Sequence, residues 1–348
     1  MNSDYRYRLE KGNKKYYCPK CGKKTFVLYT DGETGRYLPD HYGRCDRECN
    51  CSYHLNPYKD GYAKMIWKQE QDDYSEFPNY WEPKKKKVIS KPATEPVHFD
   101  FNTFNQTLNN YEQNEFIHNL LYNVPFPFKI KDIEDIIAHY YLGTITKGYK
   151  KGAITFPFID INNNVRAIQV KQFDETNHTI GTDFLHTIIG KHYTRINKPQ
   201  PEWLKGYSEQ DKKVSCLFGE HLLNKYPNNP IALVEAPKTA IYGSLYFGLP
   251  ETLKNLIWLA VYNKSSFSFD KLKILKGREV YVFPDLSKDG GTFNEWKNKA
   301  QEFENRLPET RFTFSHLLEN LAPEIDRIEG KDLADYLIEL DWREFRSR

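Results

Sequence analysis

The chain has no long apolar run. Mean hydropathy is −0.75, and no segment approaches the roughly 18 to 20 consecutive apolar residues that a membrane helix needs. The opening stretch, "MNSDYRYRLEKGNKKYYC", lacks the apolar core of a secretory signal, so a cytoplasmic protein without membrane contact is expected. No G-x-x-x-x-G-K-[ST] loop is present, which excludes a built-in P-loop motor. No serine or cysteine nucleophile motif occurs either. Cys216, in "SCLFG", reads as a small buried apolar residue, and scattered single histidines such as His139 and His221 read as packing residues. A strong charge excess is also missing. The net charge of +3 comes from 50 basic and 47 acidic residues, so the total neither demands nor excludes nucleic acid, and local patches decide.

What is present starts with cysteine. Five of the six lie between Cys18 and Cys51, in "YYCPKCGKKTFVLYT" and "HYGRCDRECNCSYHLNP". In a chain that is not exported, such clustering points to metal thiolates rather than disulfides. Cys18 and Cys21 form a CPxCG knuckle whose tight turn aims both sulfurs at one point, with Gly22 permitting the backbone conformation that follows. Tetrahedral zinc needs two further ligands from a second knuckle. Cys45, Cys49 and Cys51 offer one thiol too many, with His54 as another option. Between the knuckles, "KTFVLYTDGETGRYLPDHYGRC" reads as two strands joined by a turn, the pattern of a zinc ribbon. A redox CxxC is the rival reading, but no thioredoxin-like strand and helix follow.

The expected organisation is multidomain. Residues 1–62 form the β zinc ribbon and 63–98 a linker, whose lysines 84–87 read as a solvated tether. Residues 99–150 form a helical region, with helical spacing in "NTFNQTLNNYEQNEFIHNLLYN" and "KIKDIEDIIAHYYLGT". Residues 151–224 hold a hairpin, "GAITFPFIDINNNVRAIQVKQFD", whose second strand presents Arg166 and Lys171 to the surface. An irregular stretch containing "QPEWLKGY" follows, then a short helix in "CLFGEHLLNKYP". Residues 225–348 alternate strand and helix, giving an α/β domain with a mainly parallel sheet.

That last domain places two carboxylates in suggestive positions. "PIALVEA" is a strand ending in Glu235, and "REVYVFPD" is a later strand ending in Asp285. In a parallel sheet both ends face one crevice, where ligands of open α/β sheets bind. Lys238 follows Pro237 at the start of a helix, where the absent proline N–H costs nothing and the free N–H groups of the first turn favour anions. The competing reading of Glu235 is a surface-turn residue between a strand and a helix.

A glutamate after one strand and D-x-D-x-x-G after a later one resemble the Toprim domain of bacterial primases and topoisomerases. The matching segments are "LVEAPKTA" and "FPDLSKDGG", and "GKDLADYL" looks like the acidic segment that closes many phage-type and plasmid-type Toprim domains. The upstream ribbon resembles the zinc-binding module of primases, and "GRCDRECNCSYH" a variant in primase-like proteins of bacterial mobile elements. With "RAIQVKQFD" and "CLFGEHLL" included, nearly the whole chain resembles such zinc-ribbon–Toprim proteins.

The resemblance implies a DNA primase-like nucleotidyltransferase acting in DNA replication. Structural zinc would be held by Cys18, Cys21, Cys45 and Cys51, leaving Cys49 spare. Magnesium or manganese would be held by Glu235 and Asp285, with Ser287, Asp289, Asp332 and Asp335 as further candidates. Glu235 would be a ligand or general base, and Lys238 a phosphate contact. Arg166 and Lys171 would guide template or nucleotide. The implied partners are single-stranded DNA, nucleotides and a separate replicative helicase. Two departures matter: Ser287 stands where the family has its second aspartate, and Pro237 where relatives commonly carry an acid. They leave room for a catalytically degenerate Toprim-derived DNA-binding protein. A Toprim nuclease would share the acidic cluster but has no obvious need for the ribbon.

Overall fold

The computed structural model describes residues 5–12, 14–47, 51–67, 98–209 and 214–346. Lysines 84–87 and Cys49 lie outside the described residues. The chain divides into two compact units, Met1–Thr94 and Glu95–Arg348.

The first unit is built on four short antiparallel strands, β1 (Tyr7–Leu9), β2 (Phe26–Asp31), β3 (Gly43–Cys45) and β4 (His54–Leu55), paired in that order. Side chains alternate along β2, and each face finds its own core. Phe26 and Leu28 pack with Cys18, Cys45 and Cys51, whereas Tyr29 packs with Tyr7, Leu38 and Tyr42. Gly43 has to be glycine, because a Cβ there would run into the Val27 carbonyl and the Phe26 ring on the adjacent strand.

The second unit holds two four-stranded sheets. β5 (Gly143–Thr144), β6 (Ile154–Ile159), β7 (Val165–Phe173) and β8 (Thr179–Phe184) form an antiparallel meander. The expected hairpin is its β6–β7 pair. β9 (Ile231–Val234), β10 (Ile257–Ala260), β11 (Glu279–Phe283) and β12 (Arg311–Phe314) form a wholly parallel sheet in the order β10-β9-β11-β12. Six helices matter for the site and its support: α1 (Ile130–Tyr140), α2 (Leu185–Arg195), α3 (Glu202–Ser208), α4 (Pro237–Phe247), α5 (Gly291–Glu304) and α6 (Leu333–Leu337). Of these, α4 is buried at every position from Pro237 to Tyr246, as a helix wholly inside a core must be. Tyr140 of α1 pins it, its hydroxyl lying 2.7 Å from Ser244 Oγ and 2.9 Å from the Trp258 carbonyl.

Period-two alternation assigns the two faces of the meander. Ala167 and Phe173 of β7 join the core of the parallel-sheet half, alongside Leu233, Tyr242 and Trp258. Ile168 and Val170 face a second core with Phe99, Phe104, Leu185 and Tyr207. Two regions differ from the sequence reading. The stretch expected to be irregular contains α2 and α3, because Leu204 and Tyr207, three apart, share one buried helical face. Residues 99–123 form several short turns rather than long helices. Asn110, with φ of +52°, breaks the run between Phe101–Asn105 and Glu115–His118.

Candidate functional site

Two sites can be built from the side chains, one in each unit. In the first unit, the Gly22 N–H donates to the Cys18 carbonyl (2.9 Å) and the Cys18 N–H to the Lys23 carbonyl (2.9 Å), with Gly22 at φ +66°. That turn aims both thiols inward. Cys45 ends β3, and Cys51 follows after the second turn. The Sγ atoms of Cys18, Cys21, Cys45 and Cys51 all lie within 4.8 Å of one another, with Cys18–Cys51 at 3.6 Å and Cys21–Cys45 at 4.0 Å. Zinc at the usual Zn–S bond length places tetrahedral sulfurs about 3.8 Å apart, so the cluster has the dimensions of a closed structural zinc site. Thr25 Oγ1 sits 3.2 Å from Cys45 Sγ, a hydrogen bond of the kind that orients a thiolate ligand. His54 stands apart from this group, with its Nε2 2.9 Å from the Tyr29 hydroxyl. Cys216 is buried in the second unit's core.

The second site lies at the C-terminal edge of the parallel sheet. β9 and β11 are neighbours, paired Leu233 to Val282 and Val234 to Phe283. Glu235 directly follows β9, and Asp285 lies two residues beyond β11, so both carboxylates leave the same edge. The chain proceeds from β9 to β10 on one side and to β11 on the other. The crevice between β9 and β11 is therefore the topological switch point of the sheet. A backbone bond from the Leu286 N–H to the Lys331 carbonyl (3.0 Å) brings the "GKDLADYL" segment alongside Asp285.

Each candidate at this edge has a definite setting. Asp332 caps α6: its Oδ1 accepts from the Asp335 N–H (3.1 Å), and Asp335 Oδ2 accepts from the Asp332 N–H (3.0 Å), a reciprocal capping box. Both carboxylates also meet Lys238, whose Nζ lies 2.7 Å from Asp335 Oδ1 and 3.4 Å from Asp332 Oδ2. The Thr239 hydroxyl donates to Asp332 Oδ2 (3.0 Å). Burial works against the charge on Lys238, but Asp332 and then Asp335 outweigh it and hold its pKa above the ordinary lysine value. Asp285 is pushed well up by burial, then by repulsion from Glu235 and Asp332. Asp285 as a whole is half-buried. Ser287 is buried, and its Oγ accepts from the Thr292 N–H (3.0 Å) in the first turn of α5. Asp289 is exposed, and its Oδ1 accepts from the Gly291 N–H (3.1 Å). Among the described residues, the carboxylates do not form a second group as tight as the four cysteines.

The two basic residues of β7 part company. Arg166 Nε lies 2.6 Å from the buried Asp160 Oδ2, so its charge is answered inside the hairpin. Lys171 is half-buried and belongs to the β7 face that carries Ala167 and Phe173 into the core of the parallel-sheet half. Burial and then Lys238 lower its pKa to about 8, opposed by Asp332, Asp285 and Glu235. Sequence reasoning missed this placement, and also the parts played by Asp160 and Thr239. The alternation of Ala167, Lys171 and Phe173 on one face was a usable signal for Lys171. Nothing local in the sequence marked Thr239.

Residues 114–286 match the family model described as "Domain of unknown function (DUF6371)", and residues 5–65 match a zinc beta-ribbon finger model. No curated protein matches the chain. Among solved structures, the chain is similar to the zinc-binding and RNA polymerase domains of Aquifex aeolicus primase, at 15% identity and a TM-score of 0.38, covering 98% of this chain and 79% of that one. It is also similar to the primase fragment of the bacteriophage T7 primase-helicase protein, at 11% identity and a TM-score of 0.33, covering 86% and 88%. A third similar structure is the DnaG primase catalytic domain bound to ssDNA, at 14% identity and a TM-score of 0.35, covering 68% and 84%. Among the described residues, no helix is long and apolar enough to cross a membrane.

Proposed function

We propose that this chain is a primase-like nucleic-acid protein. Its zinc ribbon engages single-stranded DNA, and a Toprim-type acidic edge in the second unit carries out metal-dependent nucleotidyl transfer. The observation that carries the reading is the pairing of Glu235 and Asp285 at the C-terminal ends of adjacent parallel strands, at the switch point of the sheet.

The donor set at this edge suits a hard cation. Glu235 and Asp285 offer hard oxygen ligands; Asp285 is pushed up by burial first and then by Glu235 and Asp332, and a divalent ion would favour the charged form of both acids. Asp332 and Asp335 are already held by Lys238. Ser287 is occupied by a helix N–H, and Asp289 turns onto its own loop. The arrangement therefore fits one magnesium or manganese ion rather than a pair. When bound, such an ion supplies charge neutralisation at phosphate oxygens. Glu235 would receive the proton of the attacking hydroxyl as its oxygen bonds to the α-phosphorus and pyrophosphate leaves. Lys238 would act chiefly by holding Asp332 and Asp335 in place, since its ammonium is committed to both.

A second reading is a catalytically degenerate binding protein. It is favoured by Ser287, which replaces a carboxylate and spends its oxygen on α5. Template-directed synthesis with labelled nucleotides, run beside a nicking assay across magnesium and manganese, separates the two. Product from a single-stranded template supports the transferase. Nicking without synthesis points to a nuclease, and salt-sensitive DNA binding with neither activity leaves the degenerate reading.

A further inference from the structure

The outlet of β9 is gripped by the chain that leaves its neighbour β10. Along a regular strand, N–H groups point alternately to the two sides. β10 keeps that rule at first. The Ile257 N–H donates to the Pro230 carbonyl (2.9 Å) and the Val261 N–H to the Val234 carbonyl (3.1 Å), while the Ala260 N–H turns the other way, to the Phe218 carbonyl (3.2 Å). The next residue breaks it. The Tyr262 N–H also donates toward the β9 chain, to the Glu235 carbonyl (2.9 Å), and Tyr262 has a φ of +101°. For a residue with a Cβ that conformation costs free energy, and it persists only where the surroundings over-determine it. Here they do. The ammonium of the buried Lys271 donates to the Val261 carbonyl (3.0 Å), and the Trp296 indole N–H of α5 donates to the Lys264 carbonyl (3.0 Å). The Tyr262 ring packs against Phe158 of β6 and Phe184 of β8, with centroids 6.2 and 5.4 Å away. Glycine would adopt the same backbone at no steric cost, so what tyrosine adds at this position is its ring.

We propose that Tyr262 is a positioning residue for Glu235: its ring, lodged against the meander, holds the Val261–Tyr262 turn over the end of β9 and so fixes the backbone that carries the Glu235 carboxylate. The proposal rests on the reading of Glu235 as the acid that receives the proton in nucleotidyl transfer, and it assigns Tyr262 no contact with nucleotide or metal. The physical reason lies in where Glu235 sits. It is one residue past β9, where the regular ladder ends and the chain turns at once into α4 through Pro237. The Tyr262 N–H extends the pairing of β10 with β9 by one further bond, at the residue whose placement matters most. A proton acceptor displaced by about 1 Å loses up to about a hundredfold in rate. Because Phe158 and Phe184 belong to the meander, the antiparallel sheet takes part in placing an acid of the parallel one.

The test uses the full, zinc-loaded chain with a single-stranded DNA template, a labelled nucleotide and magnesium or manganese, and reads kcat and the nucleotide KM separately. Tyr262→Gly keeps the amide and relieves the backbone but removes the ring. Tyr262→Asn is a second ring-less variant should the first fail to fold, since asparagine tolerates positive φ better than most residues. Tyr262→Phe keeps the ring. At a temperature where their melts show them folded, the ring-less variants are expected to lose about tenfold or more in kcat, with the nucleotide KM within about twofold of wild type. Tyr262→Phe should match the wild type. Hydrogen exchange read by mass spectrometry should quicken between Ile257 and Asn263 in the ring-less variants alone. Wild-type kcat or unchanged exchange in a folded ring-less variant overturns the proposal and leaves the transferase reading standing, as does a rise in KM that accounts for the whole loss. A loss in Tyr262→Phe equal to that of the ring-less variants also overturns it, because the role would then lie in the hydroxyl. A wild type that forms no product with either metal removes the transferase reading, and the proposal falls with it.

Discussion

The two sites of this protein solve the problem of like groups held together in opposite ways. In the ribbon, four thiols converge with no cationic side chain among the four ligands. That geometry is stable only when a metal supplies the positive charge. At the acidic edge, the protein brings its own cation and donors: Lys238, the Thr239 hydroxyl and the N–H groups of the α6 capping box. The lesson is that ligand-type residues do not by themselves reveal how far a fold depends on metal. The ribbon needs its ion in order to fold, whereas the acids that cap α6 are held by partners from the chain itself.

The largest expected effect follows from that contrast. Stripping zinc with a chelator, or Cys51→Ser, should remove on the order of 10 kcal/mol of folding free energy from the first unit. A melt should then lose one transition and keep the other, with zinc falling from one per chain to none. His54→Ala should retain full zinc, because His54 bonds to Tyr29 rather than to the cluster. Loss of zinc in His54→Ala would break the four-thiolate account.

Removing an internal cation at the edge should come next. Lys238→Met leaves Asp332 and Asp335 buried without their partner, and breaking such a pair typically costs about 3 to 5 kcal/mol. The urea midpoint of the second unit should fall accordingly, whereas chelators should leave that midpoint unchanged. A chelator-sensitive second unit would mean that metal, not lysine, holds the edge together.

The histidines sharpen the comparison through pH. Burial drives His139 down to about 3 and His221 down to about 4, with Lys225 adding to both. Both are therefore neutral in the fold, while the unfolded chain binds their protons below about 6.5. Stability should be complete above that pH and decline as pH falls toward 4. By pH 5 the loss should be on the order of 2 kcal/mol for each histidine. His139→Phe should remove its share of the slope in denaturant titrations at stepped pH. Tyr226, stacked on His139 at 5.6 Å, can receive the new ring.

The smallest effect concerns Ser287. Ser287→Ala leaves the Thr292 N–H without its acceptor at the start of α5 and should cost about 1 to 2 kcal/mol. Ser287→Asp can keep that bond, since aspartate is also a good capping acceptor. If it also reaches the cation, it should lower the magnesium concentration needed for activity.

How much of this was legible in the sequence depended on how local the information was. The CPxCG knuckle and the later thiols are short-range patterns, and among the described residues Cys18, Cys21, Cys45 and Cys51 converge. The parallel strands were legible because their apolar runs stop at turn residues, and the six-residue distance from Asp160 to Arg166 spans one tight hairpin turn. The helices α2 and α3 were not legible. Gly190 interrupts the first, and the second is seven residues long with proline at its N-cap, so neither gives a sustained period. Lys171 was read as outward-facing because a cation on a strand usually is. Its true direction depends on which face of β7 packs against the parallel sheet, a long-range fact that no window of the sequence contains. The engagement of Asp332 and Asp335 by Lys238 is likewise set by a contact nearly a hundred residues long.

The central claim is that the edge formed by Glu235 and Asp285 is a working nucleotidyl-transfer site, and single-turnover incorporation of a labelled nucleotide on a single-stranded template tests it most directly. With manganese present, the wild type should form product. Glu235→Gln, which keeps the shape and removes the charge, should form none, while its melting profile and DNA binding stay close to wild type. Product formation by Glu235→Gln at the wild-type rate, or a wild type that forms none with either metal, would contradict the account.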